Sequence, residues 1–358
     1  MKCKVIDSDK AKIVMSPDYN YIFSKEDGSF MRWGKTKEDN PMYGPFGPEL
    51  LDISITSKCS PGTCKYCYQN AKKDGQDLSL NELGKLLRSL PPTVNQIALG
   101  GGEPTMHEDF PEVLRLIYSY GIVPNYTTNG YNLTDKIVEA TAKYCGAVAT
   151  SYHGDWDVTL ESVNRFTEAG MDQTNIHYIL SEDTIDDAMW LLKRPQNAFK
   201  NVNAVVFLLY KPQGRAPYSG ILRNKEKIKT FMDNVKSCKS FKIGFDSCSV
   251  PMLYEFMQDE KDVEMLALLA EPCESSLFSY YIDVDGRAYP CSFCKGHVEP
   301  VDTKKEDFDF MRDAWYHHVT TEFRRKAMNS TYACTSCSHK KTCGKCVVYP
   351  EIIGCDHA

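Results

Sequence analysis

From Leu51 onward, short apolar runs alternate with longer stretches in which apolar residues return every three or four positions. Leu51-Asp52-Ile53-Ser54-Ile55-Thr56 is the first run and reads as a buried strand. Leu83, Leu86, Leu87 and Leu90 then share one helical face, behind the capping box Ser79-x-x-Glu82 and ahead of the stop Pro91-Pro92. A strand over 96–99 follows, then a helix opened by Asp109 with Pro111 in its first turn and Glu112 as cap partner. The same pattern predicts strands over 123–128, 147–151, 174–180 and 202–210, and helices over 133–144, 157–169, 184–193 and 223–237. Six β/α units in order predict an α/β fold, a parallel and partly closed (β/α)6 TIM-like barrel. Functional residues of such a fold lie in the loops that follow the strands.

The flanks follow other patterns. In residues 1–50, the apolar runs 19–24 and 30–34 flank the turn Glu26-Asp27-Gly28 and predict an N-terminal β-hairpin. Proline and glycine crowd 41–48 as a linker, and the segment is expected to cover an open barrel edge. Beyond the barrel, cysteines gather from Cys248 to Cys355. The expected division is therefore 1–50 hairpin and linker, 51–240 barrel, and 241–358 a small cysteine-rich C-terminal domain.

A chain of 358 residues with 42% hydrophobic and 25% charged residues has the composition of a globular protein, and its length suits one large domain with a smaller one. The first ten residues contain no apolar signal region, and no apolar run reaches the roughly eighteen residues of a membrane span. Fifteen cysteines without an export signal point to metal binding in a reducing, cytoplasmic setting. A net charge of −6 leaves no basic footprint for nucleic acid.

The candidate chemistry begins after the first strand. Cys59, Cys64 and Cys67 offer three thiolates from one loop, which leaves a fourth metal position open. Gly100-Gly101-Gly102-Glu103-Pro104 follows the second strand, where missing side chains let backbone approach a ligand and Glu103 is an acceptor for an ammonium. Zinc is the alternative occupant, but it wants a fourth Cys or His nearby, and His107 is the first one downstream.

At these residues the chain resembles the radical SAM superfamily, although four residues stand in the first cysteine gap where that family has three. The resemblance implies a 4Fe–4S cluster on Cys59, Cys64 and Cys67 that cleaves S-adenosylmethionine to a 5′-deoxyadenosyl radical. It also implies cofactor contacts from Tyr66, Gly101, Gly102, Glu103, Pro104, Thr128, Asn129, Ser151, Leu209 and Tyr210. Cys273, Gly286 and Cys291, then Cys334-x2-Cys337-x5-Cys343-x2-Cys346 and Cys355, resemble the SPASM auxiliary-cluster domain, with one residue fewer in the last short gap. That likeness implies an outer cluster on Cys334, Cys337, Cys343 and Cys355 and an inner one on Cys273, Cys291 and Cys346. The inner cluster is completed by Cys248 or by Cys294. A zinc ribbon is the alternative for this field, and Cys3, Cys145 and Cys238 read as ordinary thiols.

Three 4Fe–4S clusters, S-adenosylmethionine, a peptide substrate matured after translation, and a one-electron reductant such as flavodoxin or ferredoxin are thus implied. Other readings are a radical enzyme acting on a small molecule and an iron–sulfur electron carrier or redox sensor. A pure electron carrier has no need of the glycine–glutamate run. No catalytic acid or base is assigned: where sulfatase-maturing relatives have an aspartate after the inner-cluster cysteine, this chain has Ser292.

Overall fold

The computed structural model describes residues 3–62, 64–256, 271–328, 343 and 346–353. Its first element is an antiparallel sheet of β1 (Lys4–Asp7), β2 (Ala11–Met15), β3 (Asn20–Ser24) and β4 (Phe30–Trp33), in that order. The predicted hairpin is present as β3 and β4, but it is only half of the sheet. The strands β1 and β2 are a second hairpin that the sequence reading passed over, built on Val5-Ile6 and Ile13-Val14 around Ser8-Asp9-Lys10.

The segment was expected to cover an open barrel edge, but this sheet instead packs under the beginnings of the barrel strands. Val14, Tyr19, Tyr21 and Phe23 cluster with Val123 and Phe278, two residues at or just before strand starts. Lys12 Nζ donates to the Val94 carbonyl at 2.6 Å and the Tyr21 hydroxyl to the Thr93 carbonyl at 2.6 Å. The half-buried guanidinium of Arg32 completes the seam. It pairs with Glu49 at 2.6 Å and Glu274 at 3.1 Å and lies 3.3 Å from the centre of the Phe278 ring. Apolar and cationic groups on one face of a small sheet bury best where carbonyls and carboxylates converge, and the strand starts supply both.

A ten-stranded sheet forms the barrel wall. Its parallel strands are β5 (Leu50–Thr56), β6 (Gln96–Gly101), β7 (Val123–Thr128), β8 (Ala147–Ser151), β9 (Thr174–Leu180), β10 (Ala204–Leu209) and β11 (Lys242–Phe245). The helices between them are α1 (Leu80–Ser89), α2 (Phe110–Ser119), α3 (Asp135–Tyr144), α4 (Trp156–Glu168), α5 (Ile185–Leu192) and α6 (Lys225–Ser237). The six predicted units are all present. The seventh parallel strand, β11, falls in the stretch assigned by sequence to the C-terminal domain, yet it pairs with β10. The helix Val250–Phe256 follows it. On the other side, β12 (Ser279–Ile282) pairs parallel with β5, and β13 (Arg287–Tyr289) and β14 (Val301–Asp302) add antiparallel strands. The C-terminal region therefore extends the same sheet.

Local signals explain most boundaries. The Ser79–Glu82 capping box closes as predicted. Asp109 does take the N-cap position of α2, but its side chain makes no cap hydrogen bond, and Glu112 pairs with Arg115 instead. Alternation sorts each strand into two faces. Leu51, Ile53, Ile55, Ile97 and Leu99 pack outward against Leu83, Leu87, Val113 and Leu114 of the helices. The inner face carries Asp52, Asn125, Thr127, Asn175 and His177 between the small residues Ala98, Gly100, Ala147, Ala149, Ala204 and Gly244. Among the described residues no helix is long and apolar enough to cross a membrane.

Candidate functional site

The loop that leaves β5 carries Cys59, Cys64 and Cys67. Burial pushes the thiols of Cys59 and Cys64 up, and a backbone N–H opposes this at each, from Gly62 and from Tyr66. The Ala71 N–H donates to Cys67 Sγ at 3.3 Å. Arg215, in the loop after β10, fastens this turn to the barrel. Its backbone N–H donates to the Cys67 carbonyl at 3.0 Å, and its guanidinium reaches the carbonyls of Ala71 at 2.6 Å and Cys64 at 3.3 Å. Gly214 beside it has a φ of +65°, and a Cβ there would run into the carbonyls of Cys67 and Tyr68.

Three thiols on one braced loop, each with its own backbone donor, fit thiolate ligands of an iron–sulfur cluster. Among the described residues, no three His, Cys, Asp or Glu side chains close on the position of a single metal ion.

The glycine run lies beside this loop, but its glycines serve different ends. Gly101, with φ +111°, and Gly102 are glycine because the chain leaving β5 passes too close. A Cβ would strike the Thr56 carbonyl at Gly101 and the Lys58 carbonyl at Gly102. Gly100 alone faces open space, with nothing within 4 Å of a Cβ built there. Close backbone approach is thus real, but at two of three positions its partner is protein.

Glu103 is 2% exposed, and protein donors surround it. Its Oε1 accepts from the Thr105 N–H at 3.2 Å and from the hydroxyls of Thr105 and Thr128, each at 2.7 Å; its Oε2 accepts from the Asn129 N–H at 2.7 Å. One acceptor direction on Oε2 is left for an ammonium. Burial pushes this carboxyl up, against the pull of those donors. Asn129 extends the brace, since its side-chain amide donates to the Ser60 carbonyl at 3.0 Å inside the cysteine loop. Pro104 begins the buried turn Pro104–Met106 that follows.

The remaining positions predicted around the first cluster divide. Tyr66 donates to Asp183 at 2.7 Å and meets Tyr210 edge-to-face at 5.6 Å. Ser151 lies opposite His177 in register, and His177 Nδ1 lies 3.2 Å from the Thr127 hydroxyl. Burial holds His177 down to about 4, with Asp246 opposing, so its ring is neutral at pH 7. Leu209 packs into the outer core, so only its backbone is offered at the rim.

The second cysteine field meets the first at an aromatic pair, Tyr68 and Phe293, with ring centres 4.9 Å apart. Cys248, Cys273, Cys291 and Cys346 act on one another electrostatically, which puts them in one neighbourhood. Lys211 lies there too, and the sequence reading missed its part because its neighbours come from four distant segments. Cys294 is fully buried with Tyr281, Tyr289 and Phe323 and has Cys291 as its hydrogen-bond partner. Cys343 is half-buried. Cys334, Cys337 and Cys355, predicted for the outer cluster, lie outside the described residues. Cys3, Cys145 and Cys238 pack against apolar clusters, as ordinary thiols would.

Residues 53–194 match the family model of the radical SAM superfamily. A probable GTP 3′,8-cyclase of Pyrococcus abyssi is 33% identical over 95 residues, which cover 25% of this chain and 31% of that protein. The corresponding protein of Methanococcus maripaludis is 22% identical over 200 residues, covering 51% of this chain and 67% of that one. The chain thus spans about a third of the length of the curated relatives it matches first. Among solved structures, Streptococcus suis SuiB bound to precursor peptide SuiA superposes with a TM-score of 0.72 at 13% identity, covering 96% of both chains. Native anSMEcpe with bound AdoMet and a Cp18Cys peptide superposes with a TM-score of 0.63 at 16% identity, covering 83% of this chain and 89% of that one.

Proposed function

This chain belongs to the radical SAM superfamily and is an enzyme of that class, and from that premise we propose that it modifies a peptide by hydrogen abstraction. Cys59, Cys64 and Cys67 hold a 4Fe–4S cluster in this reading. Bound there with S-adenosylmethionine, the cluster supplies a 5′-deoxyadenosyl radical when an external reductant such as flavodoxin or ferredoxin gives it one electron. The observation that carries the reading is the braced cysteine loop, whose three thiols each have a backbone donor at the same rim as the open face of Gly100.

The chain's own groups do the positioning. Glu103 Oε2 and the backbone along Gly101 and Gly102 would hold the ammonium end of the cofactor, and Asn129 ties that wall to the cysteine loop. Pro104, Thr128, Ser151, Tyr66 and the β10 exit at Leu209 and Tyr210 frame the rest. The lumen below, polar and lined by small residues, receives the substrate. Cys248, Cys273, Cys291 and Cys346 hold a second cluster, with Cys248 favoured over Cys294 because it shares the neighbourhood of Cys273 and Cys346. Cys334, Cys337, Cys343 and Cys355 hold a third. The likeness of nearly the whole chain to a peptide-bound structure supports a peptide, whereas the sequence relatives that act on GTP match a shorter stretch.

The test is an anaerobic assay of the reconstituted chain with dithionite and S-adenosylmethionine. Release of 5′-deoxyadenosine is expected from the parent and not from a variant with all three of Cys59, Cys64 and Cys67 changed to alanine. Unchanged release from that variant overturns the site. In parallel, short peptides encoded beside the gene and GTP are each offered as substrate and followed by mass spectrometry. Conversion of GTP with every peptide untouched overturns the peptide reading.

A further inference from the structure

One buried cation stands among the second group of cysteines. Lys211, just after β10, is 5% exposed. Among the described residues its one carboxylate partner is Asp246, at 3.3 Å, and it also donates to the Leu209 carbonyl at 3.1 Å. Asp246 is already engaged, because its Oδ1 accepts from the Leu209 N–H at 3.1 Å and from the Ser249 hydroxyl. The other neighbours of the ammonium are the Cys248 sulfur, with which it hydrogen-bonds, Cys346 and Cys273. The Phe293 ring centre lies 4.3 Å away.

Removing an ammonium from water is costly unless charge of opposite sign replaces the water. Neutral thiols are weak acceptors and do not replace it. Thiolates sharing an iron–sulfur cluster do, since such a cluster with four cysteine ligands is anionic. The arrangement is that of a charge counterpart prepared for an anionic occupant. At the first cysteine loop the charges are mixed, with the Glu103 carboxylate acting on Cys59 and the Arg215 guanidinium on Cys64.

We propose that Lys211 is the fixed positive charge that raises the reduction potential of the cluster held by Cys248, Cys273, Cys291 and Cys346. Reduction adds one electron, and with it one negative charge, beside a cation that is already in place. The reduced form therefore gains more from Lys211 than the oxidised form does, and the equilibrium moves toward reduction. The effect makes this cluster a better electron acceptor than it would be without Lys211. The inference rests on the ligand set proposed above.

The experiment is a potentiometric titration of the reconstituted full chain, followed by electron paramagnetic resonance, for the parent, Lys211→Met and Lys211→Arg. The signal of the first cluster is identified by its change when S-adenosylmethionine is added. In Lys211→Met one of the other signals is expected to move to lower potential by a tenfold or larger change in its reduction equilibrium, about 59 mV per tenfold for one electron. Lys211→Arg, which keeps the charge, is expected to stay near the parent, and the first cluster is expected not to move. Should Lys211→Met lose the iron, Lys211→Gln is titrated against Lys211→Arg in its place. Equal midpoints with and without the charge overturn the role of Lys211 while leaving the ligand set standing. A parent chain that carries the iron of one cluster only overturns the ligand set itself, and the role with it.

Discussion

Asp52 faces the barrel lumen from β5, beside Ala98 on one neighbouring strand and Tyr281 on the other. Among the described residues no donor reaches its carboxylate, and burial pushes its pKa from 3.8 up to about 6. The folded chain thus holds this proton more tightly than the unfolded chain does. Stability falls as pH rises through the window between those two values, and above pH 6 the whole cost is present. The difference of about two units, at 1.36 kcal/mol each, makes that cost about 3 kcal/mol.

Asp52→Asn keeps the shape and removes the charge, but leaves an amide whose unmet hydrogen bonds cost about 1 kcal/mol. The variant is therefore expected to be more stable than the parent at pH 8 by about 2 kcal/mol. In a chain of 358 residues that corresponds to a rise in Tm of about 3 °C, from an unfolding entropy of about 2.1 cal/mol/K per residue. At pH 5 about half of the carboxylate's cost has gone, and the advantage shrinks to about 0.6 kcal/mol. Urea unfolding of parent and variant at both pH values, in the absence of oxygen, measures the difference. A variant less stable than the parent at pH 8, or an advantage that does not change with pH, means that the carboxylate has a partner and refutes the reasoning.

Two further outcomes follow from the packing. Arg32→Met takes the cation from the buried Glu49, leaving it the Tyr19 hydroxyl, and from the half-buried Glu274, and is expected to cost about 3 kcal/mol in urea unfolding at pH 8. The loss should be smaller at pH 5, because burial already pushes Glu49 up to about 7 and a protonated carboxyl no longer needs the cation; a loss below about 1 kcal/mol at pH 8 would show that the seam is not load-carrying. Gly102→Ala drives a methyl group into the Lys58 carbonyl and is expected to reduce S-adenosylmethionine binding and iron retention, whereas Gly100→Ala, which faces open space, should retain the iron. Iron analysis and equilibrium dialysis on both variants check this, and equal behaviour of the two would refute the assignment of space.

The strand and helix pattern of the barrel was legible because each element carries its own period. Residues 123–128, 147–151 and 174–180 are strands at the predicted limits. The capping box of α1 is equally local. What the pattern did not carry was everything decided between distant segments. The strand β2 contains Lys12 among its apolar residues, and this lysine is buried only because the Val94 carbonyl waits 82 positions away. Spacing marked Cys59, Cys64 and Cys67 as a set, but nothing in it marked Arg215 as the residue that braces them. Glycine content was read as close approach of the backbone to a ligand at Gly101 and Gly102, but whether the partner is a ligand or protein is decided by the fold. The fold answers that question, since the chain leaving β5 occupies the space.

Closure of one end of the barrel bears on how the site is reached. Most barrels of this kind fill their interior with Val, Ile and Leu, whereas here Ala98, Ala147, Ala149 and Ala204 leave the inner face short of side-chain volume. The N-terminal sheet lies across the beginnings of the strands and is held there by Lys12, Tyr21 and Arg32. Among the described residues, the ways in are then the rim at the strand ends and the gap between the free edges, β11 and β14. Both lead past the cysteine loops. A radical formed at that rim, as proposed above, would need walls that do not open, and the braces from Asn129, Glu103 and Arg215 supply them. Exclusion of water and fixed geometry are what a reactive intermediate needs from its protein. In this chain both depend on contacts between loops that follow different strands, which ties the chemistry of the rim to the integrity of the whole sheet.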